Sequence, residues 1–409
     1  MADLLGLTSI SFISIVTFFI AIKYKDITKI IIIGLVIRIF LIFLGHYIIT
    51  LPDSTADMET FEHEAWLISQ NGFFDVLNNF EGPSSRFISW IISIPYSLFG
   101  RSMMMAQSLS LFLGICCIVL GWKLAYNIWD KYAAKKVAWT IALFPSLILY
   151  SVLVMREVYV SFFLLIALIG LSNWFKKANL KWFFIAIIGF VGGIFFHGTV
   201  LIDLIIFILA VSISSLKKIF KSLIYLRISL KALGLLLLFF IILKLYVSNK
   251  IVVPYLGNFK SSTNLERILK QTDISTRGNA SWPEWTKINS NIELIYKVPI
   301  RGLYFIFSPF PWDIKDLKHL IGMFDSFLYM YLSVLILRNI KEIWKDKSLR
   351  IIFLILLSFI TVFGFGVGNF GTGIRHRSKF VVIFILLAAP LIKKLIFIKR
   401  IKNIKSANS

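Results

Sequence analysis

Apolar runs of about 20 residues recur along the chain, separated by short polar stretches rich in lysine and arginine. Each run is long enough to cross a hydrocarbon core of ~30 Å as a helix. The pattern predicts spans near 5–22, 30–50, 103–125, 137–153, 158–175, 182–196, 199–215, 232–247, 320–337, 351–367 and 378–392. Residues 86–100, RFISWIISIPYSLFG, are also apolar, but they are short for a span and carry Pro95. They are expected to form a helix lying in, or dipping into, a membrane interface.

Charge decides how these runs are threaded. Basic blocks fall at Lys23/Lys25/Lys29, Lys131/Lys135/Lys136, Lys176/Lys177/Lys181, Lys217 to Lys231, Arg338 to Arg350 and Lys393 to Lys405. Cytoplasmic loops carry such excesses. Placing all six blocks inside gives an outside N-terminus, a cytoplasmic C-terminus and eleven spans, provided that 86–100 does not cross. The outer face then holds loop 51–102, the turn at Met155-Arg156-Glu157, a turn at His197-Gly198, the long segment 248–319 and the turn 368–377. Irregular backbone at this depth must be shielded by protein or line a wet cavity, so these segments are expected to fold over one site.

Composition narrows the class. The 409 residues are 58% hydrophobic and 16% charged, whereas soluble domains carry ~25% charged residues. The expected fold is an all-α polytopic membrane protein, a single integral membrane domain over 1–409. The net charge of +23 does not indicate a nucleic-acid partner, because its lysines sit between apolar runs as topology determinants do. Cys116 and Cys117 are adjacent within an apolar run and form no structural staple. The N-terminus lacks a basic leading region, so the first span is expected to serve as the address.

One loop departs from the basic balance. Residues 51–85 contain no lysine or arginine, but carry Asp53, Asp57, Glu59, Glu62, Glu64, Asp75 and Glu81. Such a loop can simply obey the positive-inside rule. The local pattern adds something more: Asp57, Phe61 and Ala65 are four apart and share one face of a helix. Asp57 would then stand at that helix's N-terminal end, beside the membrane.

Here the chain resembles the GT-C membrane glycosyltransferases, the superfamily of protein mannosyltransferases, aminoarabinose transferases and oligosaccharyltransferases. Those enzymes place an aspartate after a span, then an aromatic and an alanine, then a membrane-parallel helix ending in a phenylalanine-glycine pair. Asp57, Phe61, Ala65 and Phe99-Gly100 fit that order over residues 28–200. FPSLILYSVLVMREVY supplies Glu157 where the family carries a second acid. RGLYFIFSPFPW (301–312) and GNFGTGIRHRSKF (368–380) look like segments of O-antigen and capsule assembly proteins, including repeat-unit polymerases. The resemblance implies a multi-pass protein of the bacterial inner membrane with about 11 transmembrane helices and an interfacial helix in its first outer loop. It would transfer a sugar or oligosaccharide from a polyprenyl-(di)phosphate carrier to a glycan or lipid acceptor, in contact with membrane lipid and without a cofactor.

Such a reaction needs a carboxylate to take the acceptor's proton and cations to stabilise the leaving phosphate. Asp57 is the first candidate base, with Asp53 as alternate and Glu157 as a helper. Arg375 and Arg377 are the expected phosphate clamp, since a guanidinium fork matches phosphate oxygens. Arg301, Arg156, His197 and His376 are further candidates. Each has a structural alternative: snorkelling for the arginines, a local ion pair for Arg156-Glu157, capping for His197, and an interfacial anchor for PFPW. Gly189 and Gly193 form a small-xxx-small spacing suited to helix packing. Arg38, inside a span, is expected to pair within the bundle. No HExxH, DxD or Cys/His cluster marks a metal site, although Asp53 and Asp57 have a spacing that would let them share a cation on a helix. A lipid-linked saccharide flippase is the main alternative, against which stands the lack of two matching sequence halves.

Overall fold

Apolar periodicity becomes helix throughout the computed structural model, which describes residues 2–55, 57–80, 82–224, 280–314 and 317–393, with Lys244 and Ser248 alone between. Among the described residues there is no strand, only an isolated antiparallel bridge between Ser281 and Asn369. Helices α1 (Ala2–Lys23), α2 (Thr28–Tyr47), α6 (Met103–Ile128), α9 (Glu157–Lys177) and α15 (Lys347–Gly366) are long and apolar enough to cross a membrane, α2 together with the turn that precedes it. Shorter apolar helices accompany them: α5 (Phe87–Phe99), α10 (Leu180–Phe196), the Val200–Ser215 part of α11 (Val200–Ile224), and α17 (Val381–Ala388) with its following turn. The chain is a helical, membrane-embedded protein. The expected span 232–247, the block Lys217 to Lys231 beyond Ile224, Glu81, most of the 248–319 segment and the basic tail after Lys393 lie outside the described residues.

Two ends of the bundle are chemically distinct. At one, Lys131 lies 2.8 Å from Asp26, Lys136 donates to the Pro390 carbonyl at 2.9 Å, and the Asn339 amide donates to the Leu387 carbonyl at 3.0 Å. These contacts gather segments that the charge pattern places on one side. At the other end His46 lies 3.4 Å from Asp3, and a Cβ on Gly6 would meet Met104 and Ser102. The acidic loop sits at this second end and contains three helices, α3 (Asp57–Ser69), α4 (Phe73–Asn78) and α5. Helix α5 starts beside Phe196 and finishes beside Arg101, both at the same end. Its 13 residues span only ~20 Å, so it does not carry the chain across the bundle. Gly100, at φ +97° and ψ 173°, stops it, a positive-φ backbone that glycine adopts without a Cβ penalty.

The acids of this loop are not all solvating groups. Glu62 is 3% exposed; it accepts from Tyr96 Oη at 2.9 Å and from Arg101 Nε and Nη2 at 2.9 and 2.7 Å. It thereby ties α3 to the end of α5. Glu64 lies 3.2 Å from Arg86 and accepts from Ser89. Phe61 and Ala65 are buried on the same face of α3, as their spacing predicts.

Three segments differ from the sequence pattern. The expected span 137–153 breaks into α7 (Lys131–Leu143) and α8 (Pro145–Tyr150). Proline cannot continue the α7 ladder and pushes Phe144 into an extended conformation (φ −69°, ψ 121°). Residues 151–156 then run as buried non-helical backbone, with the Val152 carbonyl satisfied by Gln107 at 2.8 Å. Arg38, buried in α2, pairs with no acid among the described residues: it donates to Ser151 Oγ at 2.8 Å and to the carbonyls of Gly34 and Ala142. Within the segment expected as a long outer loop, Asn291–Phe307 forms helix α12 and packs on α15; a Cβ on Gly364 would come within 2.7 Å of the Gly302 backbone. Gly189 presses α10 onto α9, since a Cβ there would lie 2.3 Å from Ala167 N. Helix α13 (Leu317–Arg338), the short α14 (Ile340–Lys345) and α16 (Phe370–Ser378) complete the described fold.

Candidate functional site

Three chain segments far apart in sequence meet at the acidic end. Asp57 opens α3, Glu157 opens α9, and Arg375 lies on α16. Arg375 Nη1 donates to Asp57 Oδ2 across 318 positions of sequence, while its Nε lies 3.3 Å from Glu157 Oε1. Lys379 Nζ approaches the same Glu157 oxygen at 3.4 Å. The two acids differ sharply in surroundings: the Asp57 side chain is 44% exposed and the Glu157 side chain 1%. Glu157 thus fixes two cations from the interior, and Asp57 presents a carboxylate at the protein surface.

Around this centre, Lys379 Nζ also bonds His376 Nδ1. The His376 ring lies 4.9 Å from Phe363 and 5.5 Å from the His197 ring, and His197 Nδ1 lies 2.8 Å from Thr199 Oγ1. Both imidazoles are held well below the usual histidine range, first by burial and then by the neighbouring cations, Lys379 foremost. Folding therefore keeps them neutral, whereas the unfolded chain protonates them below about pH 6.5. The unfolded state binds more protons in acid, so stability falls as pH drops below ~6.5, by up to about 1.4 kcal/mol per pH unit for each ring, and is unaffected by them above it. Thermal unfolding of the solubilised protein between pH 7.5 and 5 is expected to show this slope, reduced in His376→Gln. A flat wild-type profile would remove the assignment.

Asp53 belongs to the same neighbourhood. Its Oδ2 accepts from Tyr150 Oη at 2.6 Å, and it sits at φ +59°, a conformation aspartate tolerates better than most residues. Arg156 is 4% exposed, with its guanidinium 5.1 Å over Phe61 and Nη1 3.5 Å from the Ser85 carbonyl. The arrangement places the 51–102 loop, the Arg156-Glu157 turn, the His197 turn and the 368–380 segment over one another.

Two expected phosphate ligands are directed elsewhere. Arg377 is 0% exposed and donates to the carbonyls of Ile306 and Ser308, to Asp325 Oδ2 at 3.0 Å and to Ser326 Oγ. The reason is local: residues 370–378 form a helix, capped by Asn369 accepting from Gly371 N at 2.8 Å. Positions i and i+2 on a helix do not share a face, so Arg375 enters the cluster and Arg377 enters the core. Arg301, also 0% exposed, donates to the carbonyls of Gly364, Thr286 and Val367 and thereby closes the C-terminal end of α15. Neither guanidinium faces the Asp57 cluster, which corrects their placement in the clamp.

Lys379 has no role in the sequence pattern beyond opening the expected span 378–392; the apolar helix instead begins at Val381. A lysine at the head of an apolar run was the available signal, because charge at that depth is retained only with a partner. As for metals, no group of three or more His, Cys, Asp or Glu side chains with ligand geometry occurs among the described residues. Asp53 precedes the helix that Asp57 opens, and the two carboxylates have different partners, Tyr150 and Arg375. Comparison of the chain with models of known protein families, with curated proteins and with solved structures finds no match.

Proposed function

We propose that this protein is a membrane glycosyltransferase that moves a sugar or oligosaccharide from a polyprenyl-(di)phosphate carrier to an acceptor hydroxyl. The reading is carried by one observation: an outward-facing carboxylate, Asp57, shares Arg375 with a buried acid that also holds Lys379. Base and cations are thereby within one side chain's reach, as transfer from a phosphate leaving group requires. In the proposed step, the acceptor oxygen bonds to the anomeric carbon as the bond from that carbon to the carrier phosphate breaks. The bonding pair stays on the phosphate oxygen, facing Arg375, and the hydroxyl proton passes to Asp57. A phosphate binding Arg375 competes for the Nη1 donor that holds Asp57 and so frees the carboxylate for the acceptor. Glu157 positions Arg375 and Lys379 throughout.

This chemistry belongs on the non-cytoplasmic face, opposite the basic blocks, and in cell-surface polysaccharide assembly, with a growing glycan or a lipid as acceptor. The test is transfer of radiolabelled sugar from polyprenyl-phosphate and polyprenyl-diphosphate donors by purified protein in detergent, where no compartment exists. A flippase yields no product there. Arg375→Lys keeps the charge and loses the fork, so transfer is expected to fall roughly 10- to 100-fold with normal protein yield. Undiminished transfer would leave Arg375 with a structural role only, pairing Asp57 with Glu157.

A further inference from the structure

Beside the cluster, helices α3, α4 and α5 enclose a cleft of about 580 Å³ that the catalytic reading does not use. Its size falls within the ~300–1,000 Å³ of small-molecule sites. We infer that this cleft binds a short neutral oligosaccharide; that this saccharide is the acceptor rests on the glycosyl-transfer reading above.

The lining chemistry carries the inference. Asn71, Asn78 and Asn79 contribute amides, each both donor and acceptor, which suits a rim of hydroxyl groups that are themselves both. Asn71 and Asn78 are exposed. The aromatic wall is Phe80, Phe87 and Trp90. Phe87 and Trp90 stack at 5.7 Å and 12°, and Phe80 leans on Trp90 at 4.8 Å while remaining 45% exposed. A pyranose has an apolar C–H face and a polar edge, so an aromatic wall facing amides matches both. Trp90 is set in place before any ligand arrives, because its Nε1 donates to the Val76 carbonyl at 2.8 Å, which lowers the ordering cost of binding.

Charge sets the class of sugar. Among the described residues no lysine lines the cleft, Arg86 is already 3.2 Å from Glu64, and Asp75 accepts from Asn79 at 2.8 Å. Glu64 and Asp75 against Arg86 leave the described lining slightly acidic, which disfavours uronic acids and other anionic saccharides. Position sets the role. Glu64 lines the cleft seven residues after Asp57 on α3, two turns or ~10 Å along one helix face. The Ser85 carbonyl, at the cleft's edge, meets Arg156 beside Glu157. A saccharide lying in the cleft therefore runs toward the carboxylate.

Calorimetric titration of the nanodisc-embedded protein with maltotriose, chitotriose and trigalacturonate tests this. At least one neutral trisaccharide is expected to bind, and trigalacturonate at least tenfold more weakly. The double variant Asn71→Ala/Asn78→Ala removes exposed side chains and leaves packing intact, and is expected to weaken binding on the order of tenfold. Asp57→Asn is expected to bind as wild type while failing to transfer. Failure of both neutral trisaccharides to bind, equal binding of trigalacturonate, or indifference to the Asn71/Asn78 substitutions each overturns the site. Transfer activity without cleft binding sinks this inference alone; cleft binding without transfer from any polyprenyl donor sinks the glycosyl-transfer reading and leaves the cleft.

Discussion

Asp57→Asn is expected to lower sugar transfer by roughly 10²- to 10⁴-fold, the usual contribution of a positioned general base, while leaving the amount of folded protein unchanged. The substitution keeps shape and an oxygen that accepts from Arg375, and removes only the capacity to take a proton. The side chain is 44% exposed, so no buried charge is stranded by the change. Measuring kcat with saturating donor and acceptor isolates the chemical step from binding. Wild-type turnover in this variant, at wild-type protein abundance, takes the base assignment away from Asp57 and leaves Asp53 as the remaining carboxylate of the loop in this neighbourhood. The exposure contrast within the pair matters to this expectation: Glu157, enclosed and holding two cations, has no open side from which to receive an acceptor's proton.

Arg377→Met is expected to act on the fold instead of the chemistry. The substitution leaves Asp325 enclosed without its 3.0 Å partner and removes the donor from the Ile306 and Ser308 carbonyls. Removing one member of a buried pair costs about 3–5 kcal/mol, mostly through the charge left behind. That is a large part of the stability of an ordinary domain, so low yield and an early thermal transition are the expected result. Arg377→Met/Asp325→Leu, which removes both charges, is expected to recover much of the loss, since interacting sites are not additive. A stable Arg377→Met protein with impaired donor binding would return Arg377 to the phosphate clamp. The contrast with Arg375→Lys, folded but slow, separates two arginines that are neighbours in sequence and strangers in space.

The acidic loop was legible to a useful degree. The four-residue spacing of Asp57, Phe61 and Ala65 marks a helix with one buried face, and that is how α3 lies. The charge pattern required 86–100 to return to the end where it began, and α5 does so before stopping at Gly100. These features depend on periodicity and on short-range sterics, which neighbours in the chain decide. Glu62 was not legible as a clamp, because its partners Tyr96 and Arg101 lie 34 and 39 positions away. Nor was helix α12 legible as one, because Lys297, Pro299 and Arg301 interrupt its apolar run; its packing partner α15 is set only by the tertiary fold.

From the sequence alone come the helical, membrane-embedded character of the chain, the sorting of basic blocks from acidic loop, and Asp57 at a helix start. Hydropathy and charge act on each segment independently, so they can be read one segment at a time. Tertiary structure decided the rest. It turned residues 370–378 into a helix, and helical geometry then sent Arg375 to Asp57 and Glu157 and Arg377 to Asp325 on another face. It also brought Lys379 to Glu157. Contacts between residues 318 positions apart exist only when three separate segments are packed at one end of the bundle, and nothing local to any of them specifies which face its neighbour will present.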